Sequence, residues 1–119
     1  MASVLVHEYD EHVRSLLEAQ LAALGHEALL IGEGSMAWQY RHFDVAVVET
    51  ATSPGLHLAR ELHATRPDTP LVVVSVIGPT DETRALAPTA HLVKPIRLAE
   101  LGRALAGALA LSAPVALGC

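Results

Sequence analysis

Apolar residues recur at two spacings along the chain. Short β-branched runs lie between longer stretches in which apolar residues return every three or four positions, and Gly, Pro, Asp or Ser marks each switch. Val4-Leu5-Val6-His7 predicts a first strand. Val13, Leu16, Leu17, Gln20, Leu21 and Leu24 then fall on one stripe of a helix, with Asp10 as its N-cap and Gly25 at its end. Glu27 to Ile31 predicts a second strand, Ser35 to Arg41 a short helix, and Val45 to Val48 a third strand ending at Glu49, after which Pro54-Gly55 is expected to turn the chain. Leu56, Ala59, Leu62 and Ala64 support a helix that must stop near Pro67. Leu71 to Val76 is the most strand-like run of all. From Thr80 to Leu86 there is room for about two turns of a fourth helix before Pro88, at roughly 3.6 residues per turn. His91-Leu92-Val93 predicts a fifth strand, and Arg97 to Leu111 a last helix with Leu98, Leu101, Leu105 and Leu109 on one stripe.

Strands alternating with helices make a parallel sheet, because each crossover is right-handed and lays a helix over the apolar strands. Continuous apolar strands of this kind are buried on both faces, so helices are expected on both sides. The pattern fits one α/β domain over residues 1–111, followed by an apolar C-terminal tail over 112–119. In such a sheet the crevice lies at the C-terminal strand ends. Three chemistry-bearing clusters fall there: His7-Glu8-Tyr9-Asp10, Glu49, and Ser75 with Lys94-Pro95.

Composition narrows the partners. The 119 residues are 51% hydrophobic, enough for a single buried core. Only 18% are charged and the formal net charge is -5, which leaves no basic surface for a nucleic acid backbone. One cysteine, Cys119, allows neither a disulfide framework nor a cysteine zinc site and fits a reducing compartment. The start of the chain lacks the pattern of a signal peptide and no stretch has the length of a bilayer span, so a cytoplasmic protein away from membranes is expected. From Ala104 to Leu111 the last helix carries no charge. Its outer face, including Ala106 and Ala110, is therefore expected to meet a protein partner or a second copy of the chain.

Val4-Leu5-Val6 with Val13-Arg14, Phe43-Asp44, and Leu92-Val93-Lys94-Pro95, in this order and spacing, resemble the receiver domain of bacterial two-component response regulators. The likeness runs from about Val4 to Leu109. It implies a flavodoxin-like, five-stranded parallel sheet in the order 2-1-3-4-5, and a signalling module, with a histidine kinase as an implied partner, rather than an enzyme. In that family an acidic pair after the first strand holds Mg²⁺ and an aspartate after the third accepts a phosphoryl group. A Ser or Thr and a Lys then read the phosphate. Carried across, the acidic pocket falls on Glu8, Tyr9 and Asp10, the acceptor on Glu49, and the switch positions on Ser75, His91, Lys94 and Pro95, with a cis peptide implied before Pro95. The stretch from Ser75 to Lys94 is shorter than in the family, which implies a reduced fourth helix.

The acidic positions depart from the family pattern. A phenol with a pKa of about 10 is a poor ligand for Mg²⁺, which demands hard oxygen donors in near-octahedral geometry. Glu49 carries one more methylene than aspartate, moving its oxygen by roughly 1 Å, a displacement that can cost about a hundredfold in a positioned reaction. No Mg²⁺-dependent switching, and no bound cofactor, is therefore expected. Glu49 is either a built-in mimic of phosphate reaching towards Lys94 or an inactive replacement. Lys94, the only lysine, is a phosphate ligand, a counter-ion to Glu8 and Glu49, or a plain surface residue, and the counter-ion reading is favoured. His91 either couples to Ser75 or stands exposed on an edge strand. Two rival functions remain: a phosphorelay acceptor using Glu49 or Asp10, and a small-ligand or metal site built from His7, Glu8 and Glu49. His12, His26, His42, His57 and His63 are expected on the solvated surface.

Overall fold

A computed structural model describes residues 1–32 and 34–112. Five strands, β1 (Ser3–His7), β2 (Glu27–Leu30), β3 (Val45–Glu49), β4 (Leu71–Ser75) and β5 (Ala90–Val93), form one parallel sheet in the order β2-β1-β3-β4-β5. This is the expected flavodoxin-like order. Among the described residues four α-helices cover it: α1 (Glu11–Ala23), α2 (Ser53–Thr65), α3 (Asp81–Arg84) and α4 (Leu98–Ser112). The tail expected after α4 lies outside the described residues, as does Cys119. No helix among the described residues is long and apolar enough to cross a membrane.

The two-residue period of the strands divides the core. Val4, Val6, Val45, Val47, Val72, Val74 and Leu92 share one face with Leu17 and Leu21 of α1 and Leu101, Leu105 and Ala108 of α4. Leu5, Ala46, Val48, Leu71 and Val73 share the other with Leu58, Ala59 and Leu62 of α2, together with Trp38, Phe43 and Leu86. The first face has two long helices. The second has one, because the helix predicted over Ser35 to Arg41 is a four-residue 3-10 turn, Ala37–Tyr40. With Gly34 at φ 75° before it and Arg41 extended behind it, too few residues remain to offset helix nucleation.

Three further expectations are corrected. Pro54-Gly55 does not turn the chain but sits in the first turn of α2, where proline's missing N–H has no helical acceptor to lose. Thr52 caps that turn with its hydroxyl. Leu16 and Leu98, placed on buried stripes by their spacing, are exposed, and Ala108 takes the innermost place late in α4. β4 ends at Ser75, leaving Val76 exposed. The fourth predicted helix is reduced, as expected, to the four residues of α3. Thr80 and Thr83 close a capping box at its start, while Ala87 at φ 50° and Pro88 prevent its extension.

Candidate functional site

The C-terminal ends of β1, β3, β4 and β5 bring the expected residues to one edge of the sheet. Glu8 follows β1 and is buried. Its Oε1 lies 2.9 Å from Lys94 Nζ, in an ion pair whose side chains are 1% and 11% exposed. Glu8 Oε2 accepts from the Asp10 N–H at 3.0 Å, and the Glu8 carbonyl accepts from Arg14 at 3.2 Å. Tyr9 is largely exposed and its ring lies beside the ammonium, with Lys94 Nζ 5.2 Å from the centroid.

Asp10 is committed to α1. Its Oδ1 accepts from the N–H groups of His12 and Val13 at 2.9 and 3.1 Å. The bond from Val13 foremost, opposed by desolvation and supported by the bond from His12 and the nearby His12 and Lys94 charges, holds its carboxyl below the ordinary value of 3.8.

Glu49, at the end of β3, is buried and folds back on the loop that follows. Its Oε1 accepts from the N–H of Ala51 and, at 3.1 Å, from the N–H of Thr52, while Oε2 accepts from the Thr52 hydroxyl at 3.2 Å. The extra methylene thus lets the carboxylate curl into its own loop rather than extend to Lys94, whose partner is Glu8. Gly55 makes this arrangement possible, because a Cβ there would stand 1.7 Å from the Glu49 carbonyl oxygen.

Ser75 is buried at the end of β4, and its Oγ accepts from the Ile77 N–H at 3.2 Å. The Lys94 N–H donates to the Ser75 carbonyl at 2.8 Å, and the Lys94–Pro95 peptide is cis. His91 is half-buried and does not couple to Ser75. Its Nε2 lies 2.9 Å from the Ile77 carbonyl, so that nitrogen is the donor. Of the five histidines expected on the surface, His26 departs: it is half-buried, and its Nδ1 accepts from the Ala2 N–H at 3.2 Å.

The three carboxylates of the crevice already have partners within the chain. Glu8 is ion-paired with Lys94, Asp10 caps a helix, Glu49 is held by its loop, and Tyr9 supplies a phenol in place of a carboxylate. Among the described residues no group of three His, Cys, Asp or Glu side chains is placed to hold a metal, so His7, Glu8 and Glu49 do not assemble the alternative metal site. Sequence reasoning missed Ala51, Thr52 and Arg14 as parts of the site. Thr52 had a signal, a capping hydroxyl immediately ahead of Ser53-Pro54. The Ala51 contact is made by a backbone N–H and had none, while Arg14, quoted for the resemblance but given no role, reaches the Glu8 carbonyl with its guanidinium.

This order of strands, with polar residues gathered at their C-terminal ends, is the fold of response-regulator receiver domains. The signal receiver domain of a modulated diguanylate cyclase from Desulfovibrio desulfuricans is similar with a TM-score of 0.80 and 20% identity, covering 94% of this chain and 96% of that one. Chemotaxis protein CheY4 of Vibrio cholerae is similar with a TM-score of 0.81 and 23% identity, over 92% and 99%. The receiver domain of a sensor histidine kinase from Pseudomonas aeruginosa, in a structure with magnesium coordinated in its active-site cleft, has a TM-score of 0.79 and 20% identity over 92% and 98%. No family model and no curated protein matches the chain.

Proposed function

We propose that this chain is a receiver-like signalling and protein-interaction module, cytoplasmic and non-enzymatic, whose crevice is not switched by Mg²⁺-dependent aspartyl phosphorylation. The observation that carries this reading is the closed Glu8–Lys94 ion pair at 2.9 Å. It places an ammonium against the one buried carboxylate that would otherwise face a divalent ion, and separating a buried pair of this kind is costly. Glu49 supports the same reading. Three donors from Ala51 and Thr52 occupy its carboxylate, so it serves its own loop as an acceptor rather than standing as a free nucleophile. One carboxylate supplies about one negative charge where a phosphate carries about -1.5 to -2, and Glu49 turns away from Lys94, so the crevice is read as unresponsive rather than as a phosphate mimic.

Glu49 and Asp10 as phosphate acceptors are disfavoured by their existing hydrogen bonds. Calorimetric titration with Mg²⁺ tests the reading. The parent chain is expected to show no binding, and Tyr9→Asp combined with Glu49→Asp to gain it by adding the hard oxygen donors that Glu8, paired with Lys94, does not supply, with Tyr9→Asp alone giving part of the effect. A parent chain that binds Mg²⁺ as tightly as the double variant would overturn the proposal.

A further inference from the structure

The thinly covered face of the sheet holds an open cleft. Where a second long helix would lie, the chain supplies only the 3-10 turn at Ala37–Tyr40, and the space left between that turn and α2 has a volume of about 590 Å³. Small-molecule sites typically enclose about 300–1,000 Å³. Met36, Trp38, Pro54 and Leu58 give the cleft apolar walls. Gly32 and Gly34 border it where no atom stands within 4 Å of a would-be Cβ.

Two buried nitrogens on lining residues lack hydrogen-bond partners: His7 Nδ1 and Trp38 Nε1. Both side chains belong to residues at least nine-tenths buried, His7 at 5% exposed and Trp38 at 2%. A buried polar group left without a partner is costly and uncommon, and the indole N–H can only donate. A ligand that satisfies it must offer an acceptor oxygen. Lys and Arg are absent from the described lining residues, and Glu61, the lining carboxylate, is already 2.9 Å from His57 Nε2. Without a free cation, the cleft is not built for an anion.

Trp38 is also held in place. Its carbonyl accepts from Arg66 at 2.9 Å, and the Arg66 guanidinium packs 5.6 Å from the indole and 4.4 Å from the Phe43 ring centroid. A donor fixed in this way loses little freedom on binding.

We infer that this cleft binds an uncharged, ring-bearing small molecule carrying a carbonyl oxygen, with the rings against Met36, Pro54 and Leu58 and the oxygen accepting from Trp38 Nε1. His7 Nδ1 offers a second polar contact, as donor or acceptor according to tautomer. His7 also lines the crevice in front of Glu8 and Tyr9, so the occupant borders the ion-paired edge of the sheet without being part of it.

The single tryptophan makes the test direct, since its indole N–H gives one resonance in a ¹H–¹⁵N spectrum. The probes are 1-tetralone, a neutral two-ring ketone, and tetralin, the same rings without the oxygen. The indole resonance is expected to shift saturably with 1-tetralone, at a dissociation constant about fivefold or more below that of tetralin, the effect of one net hydrogen bond. In Trp38→Phe, followed through the backbone amide of Leu58, the ratio is expected to fall to about one for the same reason. Absence of a saturable shift with either probe, or equal affinity for the two in the parent chain, overturns the inference. The parent-chain ratio decides even where Trp38→Phe does not fold.

Discussion

Lys94 is the chain's only lysine, and among the described residues its ammonium is the ion-pair partner of the buried Glu8. Removing one member of such a pair strands the other in a medium that solvates it poorly. Lys94→Met is therefore expected to lower the unfolding free energy by about 3 kcal/mol, and combining it with Glu8→Gln to recover most of that loss. Urea denaturation of the parent, the two single variants and the double variant measures the coupling. Asp10 gives a pH signature of a different sign from a histidine switch. Its folded carboxyl titrates below 3.8, so the stability it contributes is fully present above that value and is lost as pH falls through the lower, folded one. The stability difference between the parent and Asp10→Asn is expected to stay constant from neutral pH down to about the reference carboxyl value and to shrink below it. Glu8, Glu49, Ser75 and Lys94 were legible in the sequence because each follows an apolar run. The direction in which Glu49 turns was not, since it depends on where the backbone N–H groups of Ala51 and Thr52 point, and no side-chain pattern records that.

At the scale of elements, the tightest fit is between α2 and the end of β3. A methyl group at position 55 would collide with the Glu49 carbonyl, and neither the strand nor the capped helix can move away cheaply. Gly55→Ala is expected to cost about 3 kcal/mol, at the upper end for overpacking, and thermal unfolding checks it. Ala87 is the opposite case, an L-residue at φ 50° where the chain leaves α3. Ala87→Gly is expected to raise stability by up to about 1 kcal/mol, the relief of left-handed strain less the greater freedom of glycine when unfolded. These two positions also mark the limits of pattern reading. The strands were legible because burial on both faces demands continuous β-branched runs, as in Leu71 to Ser75. Pro54-Gly55 reads locally as a turn, and only the Thr52 cap and the approach of β3 make it the start of a helix. Leu16 and Leu98 have core spacing but lie at the margins of their stripes, where the width of the sheet decides exposure.

For the whole molecule, the sheet order and the two-sided core follow from the alternation of strands and helices, whereas the unequal cover of the two faces does not, because the missing helix differs from a short one by only a turn or so of chain. The exposed side of α4 is the surface proposed to meet a partner: Ala106 and Ala110 both face outward there. Light scattering at high protein concentration is expected to show self-association, or else co-purification to show a bound protein, that Ala106→Arg abolishes. A monomer whose partners are unaffected by that change would refute the surface. We propose that the receiver fold is kept here without Mg²⁺-dependent phosphorylation, Lys94 being closed on Glu8 and Glu49 turned into its own loop. Incubation of the full chain with acetyl phosphate and Mg²⁺, followed by intact-mass measurement, tests it most directly. An unchanged mass is expected, and a stoichiometric gain of one phosphoryl group that mild base removes would contradict the proposal.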